Sequence, residues 1–228
     1  MARDPDKETI EQLTALGYLS DGSGQRHDRP LLICDVDEVV VHLVDPFVQV
    51  LQEQGFYLKS HSFKLTGNVF CKTTDREATQ EEVWGGLDQL FREQEVRQSI
   101  VDGVTDALND LSADIDVLFL TNMPHAYRSV RQVHLANHGL EFPTITNTGS
   151  KVGAIKTIQH HRDAPVGFID DTPKNLDQVR DELSNVHLFH FMANHDFRAM
   201  AGVIEGAKVS TGDWQEATQA IRETLVVG

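Results

Sequence analysis

The chain has 228 residues, 40% hydrophobic and 24% charged, enough for one soluble α/β domain with an insertion or for two small domains. A formal net charge of −15 argues against a nucleic acid or an anionic membrane as the main partner, since both need basic patches. Two cysteines, Cys34 and Cys71, are too few for a disulfide framework. Together with a polar start, MARDPDKETIEQ, and no apolar run near the roughly 20 residues that span a bilayer, they predict a reduced, cytoplasmic protein.

Residues 1–29 read as an N-terminal arm and linker. A short amphipathic pattern (Ile10, Leu13, Leu16, Tyr18) is broken by DGSGQRHDRP, and the arm packs either on its own domain or on a second subunit as a homodimer. LLICDVDEVVV (31–41) opens the core as a strand buried on both faces. Further strands are expected at 116–120 (DVLFL), 144–147 (TITN), 166–169 (VGFI) and 186–191 (VHLFHF). Helices separate them: 104–111, then 124–139 with Pro124 near its start and Gly139 at its end, then 152–161, then 173–183 after Thr172-Pro173. Strands alternating with helices predict a Rossmann-like parallel sheet of about five strands, covered on both faces. Residues 43–100 break this rhythm with helix (DPFVQVLQEQG), strand or hairpin (FKLTGNVF) and helix (EEVWGGLDQLFREQ). They read as a small mixed lid inserted into a core made of 30–42 and 101–228.

Open α/β sheets bind ligands at the carboxyl ends of their strands. Those ends carry Asp35 and Asp37, then Thr121 and Asn122, then Asp170 and Asp171, with Lys151 at a helix start. An unpaired charge against a buried strand costs several kcal/mol or more, so the acids are either solvated or hold a cation. Oxygen-only donors favour Mg²⁺ over zinc. A carboxylate beside Mg²⁺ can act as a nucleophile, with Thr121 binding a phosphoryl oxygen, Lys151 neutralising charge and a second acid protonating the leaving oxygen. Lys156 competes with Lys151 for the lysine role. Gly67 and Asn68, a polar pair inside an apolar strand, are candidates to reach over the site. His187 and His190 face opposite sides of a strand, which is poor geometry for a second metal.

DVDEVV (35–40), LTN (120–122), Lys151 before a helix and FIDD (168–171) resemble, in the same order, the four motifs of the haloacid dehalogenase superfamily, over roughly residues 31–176. The insertion after the first motif resembles the superfamily's cap position. The resemblance implies Asp35 as nucleophile and metal ligand, and Asp37 as general acid/base with its carbonyl on Mg²⁺. It implies Thr121 as phosphoryl-binding residue, Lys151 as charge-neutralising lysine, and Asp170–Asp171 completing the metal site, with Asp171 the direct ligand. Aspartate at position 37 resembles the phosphatases rather than the dehalogenases. The expectation is therefore a Mg²⁺-dependent phosphohydrolase acting on a small phosphorylated metabolite through an aspartyl-phosphate. A catalytically silent phospho-ligand scaffold is the alternative. A receiver domain fits poorly, because its phosphorylated aspartate sits on a later strand.

Overall fold

The computed structural model describes residues 4–19, 28–59 and 67–226. In chain order these form α1 (Lys7–Ala15), β1 (Leu31–Cys34), α2 (Val44–Glu53), β2 (Phe56–Leu58), β3 (Val69–Cys71), α3 (Gln80–Arg92), α4 (Gln94–Arg97) and α5 (Val104–Leu111). Then come β4 (Asp116–Asn122), α6 (Arg128–Asn137), β5 (Thr144–Asn147), α7 (Lys151–His160), β6 (Val166–Asp170) and α8 (Pro173–Glu182). The chain finishes with β7 (Val186–Phe191), α9 (His195–Met200), β8 (Ala207–Thr211) and α10 (Trp214–Leu225). Most of the linker, 20–27, and the start of the FKLTGNVF segment, 63–66, lie outside the described residues.

Six parallel strands form the sheet in the order β5-β4-β1-β6-β7-β8. The chain builds outward from β1 through β4 to β5, then returns to β6 on the other side of β1. The crevice at this reversal, above the C-terminal ends of β4, β1 and β6, is where such sheets bind ligands. The expectation of about five strands falls one short. The extra strand, β8, is a sheet edge with AKVST only partly buried, so it lacks the apolar run that marks an inner strand. The helix expected at 124–139 begins as a 3₁₀ turn, His125–Tyr127, before α6, and Gly139 ends it at φ 75°.

Alternating side chains of the strands feed two cores. Leu32, Cys34 and Phe119 face α5 and α10, whereas Leu31, Ile33 and Leu120 face α1, α7 and α8. Gly167 lets α10 lie close on the sheet, because a Cβ there would stand 2.9 Å from Phe189 and 3.0 Å from Leu225.

The arm helix α1 packs on its own domain at β5. Gln12 accepts from Thr146 N and donates to Thr146 Oγ1, both at 3.0 Å, and Thr9 Oγ1 donates to the Thr146 carbonyl at 3.0 Å. Side chains of α1 thus satisfy the exposed backbone of an edge strand, which would otherwise be open for pairing.

Between β1 and α5 the insert has its own core, with Phe47, Val50 and Leu51 of α2 against Val83, Leu87 and Leu90 of α3. The antiparallel β2–β3 hairpin completes it. A capping box between Thr79 and Glu82 fixes the start of α3.

Candidate active site

Four strand ends and helix starts converge at the crevice. Asp35 continues β1 and is tied to β6 by its backbone N–H, which donates to the Ile169 carbonyl at 2.9 Å. Lys151 starts α7, where Ser150 is the N-cap, and its Nζ lies 2.7 Å from Asp35 Oδ1 and 2.7 Å from Asp170 Oδ2. All three side chains are buried. Asp170 also accepts from the Thr172 N–H at 2.9 Å and from Asn175 Nδ2 at 3.0 Å. Asp171, partly exposed, takes a hydrogen bond from Thr172 Oγ1 at 3.0 Å.

One oxygen each of Asp35, Asp170 and Asp171 lies within 4.8 Å of the others. Three carboxylates around a single ammonium leave excess negative charge in a buried place. Burial pushes the Asp35 carboxyl up to about 7; Lys151 pulls it down, while Asp170 and Asp37 add to the rise. Burial, then Asp170 and Asp35, raises Asp171 as well. Burial also works against charge on Lys151, but Asp170 and Asp35 more than offset it, so its pKa is raised. A divalent cation is the species that would relieve this crowding of acids. The hard oxygen donors, with no thiol or imidazole among them, suit Mg²⁺.

Asp37 is held apart from that cluster. Its Oδ1 accepts from Gln98 Nε2 and from Arg131 Nη2, both at 3.0 Å, and Thr121 Oγ1 lies 3.4 Å from Oδ2. Arg131 Nη2 also donates to Gln98 Oε1 at 3.1 Å, so α6 and the residue after α4 grip one carboxylate together.

Asn122 Nδ2 donates to the Gly149 carbonyl at 3.0 Å, and its Oδ1 accepts from Asn147 at 2.7 Å, which fixes its side chain at the mouth. Lys156 is exposed and lines a groove at the opposite end of the sheet. That groove is larger, about 880 Å³, but the acids are not part of it.

A cavity of about 360 Å³ opens over the acids. Asp35, Asp37, Asn122, Lys151 and Asp171 line it, and Trp84, Leu87 and Phe91 reach it from α3. Gly67 and Asn68 are not among its lining residues. Gly67 takes φ 88° in the turn into β3, and the Asn68 carbonyl accepts from Lys59 N at 2.7 Å. Among the insert's residues, α3 supplies Trp84, Leu87 and Phe91 to the cavity lining.

Sequence reasoning assigned no role to four residues. Gln98 and Arg131 carry no motif, and only packing brings them to Asp37. Glu38, within DVDEVV, adopts a left-handed φ of 60° and is buried. Its Oε1 accepts from Leu43 and Val44 N–H at 2.7 and 2.6 Å, and its Oε2 from Asn194 N–H at 2.9 Å. It thereby ties the start of α2 to the loop after β7. His190 holds the backbone at Asp171: its Nε2 lies 3.0 Å from the Asp171 carbonyl and Nδ1 2.7 Å from Ser210 Oγ. A carbonyl only accepts, so Nε2 carries the proton.

No protein-family model matches the chain, and no curated protein matches it. Solved structures do. One is a haloacid dehalogenase family hydrolase from Deinococcus radiodurans with bound phosphate and sodium, 16% identical over 87% of this chain and 96% of that one, with a TM-score of 0.59. A haloacid dehalogenase-like family hydrolase from Streptococcus pneumoniae is 14% identical over 84% and 97%, with a TM-score of 0.54. A protein from Haemophilus somnus named a predicted phosphoglycolate phosphatase is 12% identical over 87% and 98%, with a TM-score of 0.56. The chain has the haloacid dehalogenase-like fold.

Proposed function

We propose that the protein is a Mg²⁺-dependent phosphohydrolase that cleaves small phosphomonoesters, with the insert as its cap. The observation that carries this reading is Lys151 bridging Asp35 and Asp170 at 2.7 Å each, with Asp171 beside them and Asp37 clamped separately. A structural ion pair needs one carboxylate per lysine, so a lysine shared within a group of three acids fits a site built for a cation and a phosphoryl group.

Asp35 attacks phosphorus in line with the ester oxygen, and Asp37 gives its proton to that oxygen as the alcohol leaves. The aspartyl-phosphate is then hydrolysed by water that Asp37 deprotonates, which restores Asp35 and releases inorganic phosphate. Thr121 and Asn122 orient the phosphoryl oxygens, and Lys151 stabilises charge shared between nucleophile and phosphate. Mg²⁺ would be held by Asp35, Asp171 and the Asp37 carbonyl, with Asp170 oriented behind them, and would supply positive charge for the phosphoryl group. The Gln98–Arg131 grip keeps the Asp37 carboxylate at one place during both proton transfers.

Hydrolysis of p-nitrophenyl phosphate by wild type and Asp35→Asn, with Mg²⁺ and with EDTA, tests the reading. Turnover that needs both Mg²⁺ and Asp35 is expected. Turnover that survives Asp35→Asn would remove Asp35 as nucleophile. Phosphate binding without turnover across a broad ester panel would favour the silent scaffold. No helix among the described residues is long and apolar enough to cross a membrane.

A further inference from the structure

The cavity over the acids is divided by polarity. Its floor carries Asp35, Asp37, Lys151 and Asp171 with the polar Asn122, Thr172 and Asn175, whereas Leu43, Trp84, Leu87, Phe91, Met192 and Phe197 form its walls. Trp84, Leu87 and Phe91 follow one another at helical spacing on α3, so they present one stripe toward the floor. Leu87 and Phe91 are buried in the insert's core, but Trp84 remains 54% exposed. Together with Leu43, Met192 and Phe197 in the same lining, the half-exposed Trp84 makes an apolar surface beside the acids, the kind that marks a ligand-binding groove.

We propose that this cavity selects phosphomonoesters of apolar, ring-bearing alcohols, with Trp84 as the specificity-determining residue; the inference rests on reading the site as one for phosphomonoesters. The phosphoryl end belongs with Lys151 and the acids, leaving the alcohol portion against the apolar wall. An aromatic ring meets Trp84 and Phe91 in offset or edge-on contact, and Met192 adapts to its outline. A second carboxylate or phosphate on the alcohol would lose its hydration under apolar side chains, while Lys151, the one cation among the lining residues, is engaged at the phosphoryl end. A sugar's hydroxyls would find partners only in the polar floor residues Asn122, Thr172 and Asn175 and would lose water against the wall. The volume, about 360 Å³, is near the lower end of the ~300–1,000 Å³ usual for small-molecule pockets and fits one ring system rather than an extended chain.

The test separates binding from turnover by using non-hydrolysable phosphonates. Calorimetric titration in Mg²⁺ compares benzylphosphonate, which carries a ring, with phosphonoacetate, which carries a second anion. Wild type is expected to bind benzylphosphonate about tenfold more tightly or better, a difference of roughly 1.4 kcal/mol. Trp84→Ala should bring the two affinities within about threefold, whereas Trp84→Phe should keep most of the preference. The protein's other tryptophan, Trp214, is buried, so ligand-dependent emission changes report on Trp84. Equal or tighter binding of phosphonoacetate by wild type would overturn the proposal, as would a preference that survives Trp84→Ala in a protein that melts like wild type. Hydrolysis of p-nitrophenyl phosphate is read separately. A ring preference without any turnover would sink the phosphohydrolase reading while leaving the selectivity of the cavity standing.

Discussion

Replacing Arg131 by Met is expected to cost about 2 kcal/mol of stability and about a hundredfold in kcat, both through Asp37. The Arg131 guanidinium is wholly buried, and its Nη2 alone bonds Asp37 and Gln98. Breaking a buried charge pair typically costs about 3–5 kcal/mol, because the remaining charge is stranded. Three features lower that figure. The Asp37 side chain is 13% exposed, and it keeps Gln98 and Thr121 as partners. Arg131 Nε and Nη1 meet no hydrogen-bond partner among the described residues, so removing them relieves a desolvation cost already present. Met fills much of the vacated volume without adding polar atoms.

On activity, a well-placed general acid/base contributes about 10²–10⁴-fold, and an Asp37 held only by Gln98 and Thr121 loses part of that. The loss should fall on kcat rather than KM, since Asp37 acts on the leaving oxygen and on water, not on ground-state binding. The assay is urea unfolding of wild type, Arg131→Met, Asp37→Asn and the double variant, alongside steady-state kinetics. A coupling energy of about 1.5–3 kcal/mol between the two sites is expected. Coupling below about 0.5 kcal/mol, or a kcat within twofold of wild type, would refute the grip on Asp37.

Lys151→Met should destabilise the metal-free protein by several kcal/mol, about 3–5 by the same reasoning on buried pairs, because Asp35 and Asp170 lose their shared cation with Asp171 close by. Thermal melts in EDTA and in Mg²⁺ check it: Mg²⁺ should raise Tm more in the variant than in wild type, and an equal rise in both would count against a cation at the three acids. His134 supplies the pH prediction. Burial first, then the neighbouring Arg131 charge, lowers its pKa from 6.5 to about 4, so folding favours the neutral ring. Stability from this residue is therefore complete above about pH 6.5 and falls as pH drops toward 4, by about 3 kcal/mol in all. His134→Gln should flatten that acid limb in unfolding experiments run from pH 7 to pH 4.5; an unchanged limb would place the loss elsewhere.

The α/β class, five of the six strands of the main sheet and the positions of the main acids were legible in the chain before it folds. The physical reason is local: an apolar strand that ends in acids, or a lysine that opens a helix, is written in neighbouring residues and needs no tertiary information. Asp35, Asp37, Asp170, Asp171 and Lys151 were legible for that reason, because parallel strands place their carboxyl ends on one side of the sheet. Edge strand β8 escaped notice because an edge needs no continuous apolar run. Only the tertiary structure decided that Lys151 rather than Lys156 meets the acids, since both belong to α7 and only the packing of that helix fixes which end reaches β1 and β6. It also decided that Arg131 and Gln98 hold Asp37, across 94 and 61 residues of chain. The cavity wall followed the same logic. Gly67 and Asn68 do not line the cavity, whereas Trp84, on the helix expected from EEVWGGLDQLFREQ, does. Contacts between residues distant in the chain are set by how helices pack on the sheet, and that packing leaves no period or spacing to read.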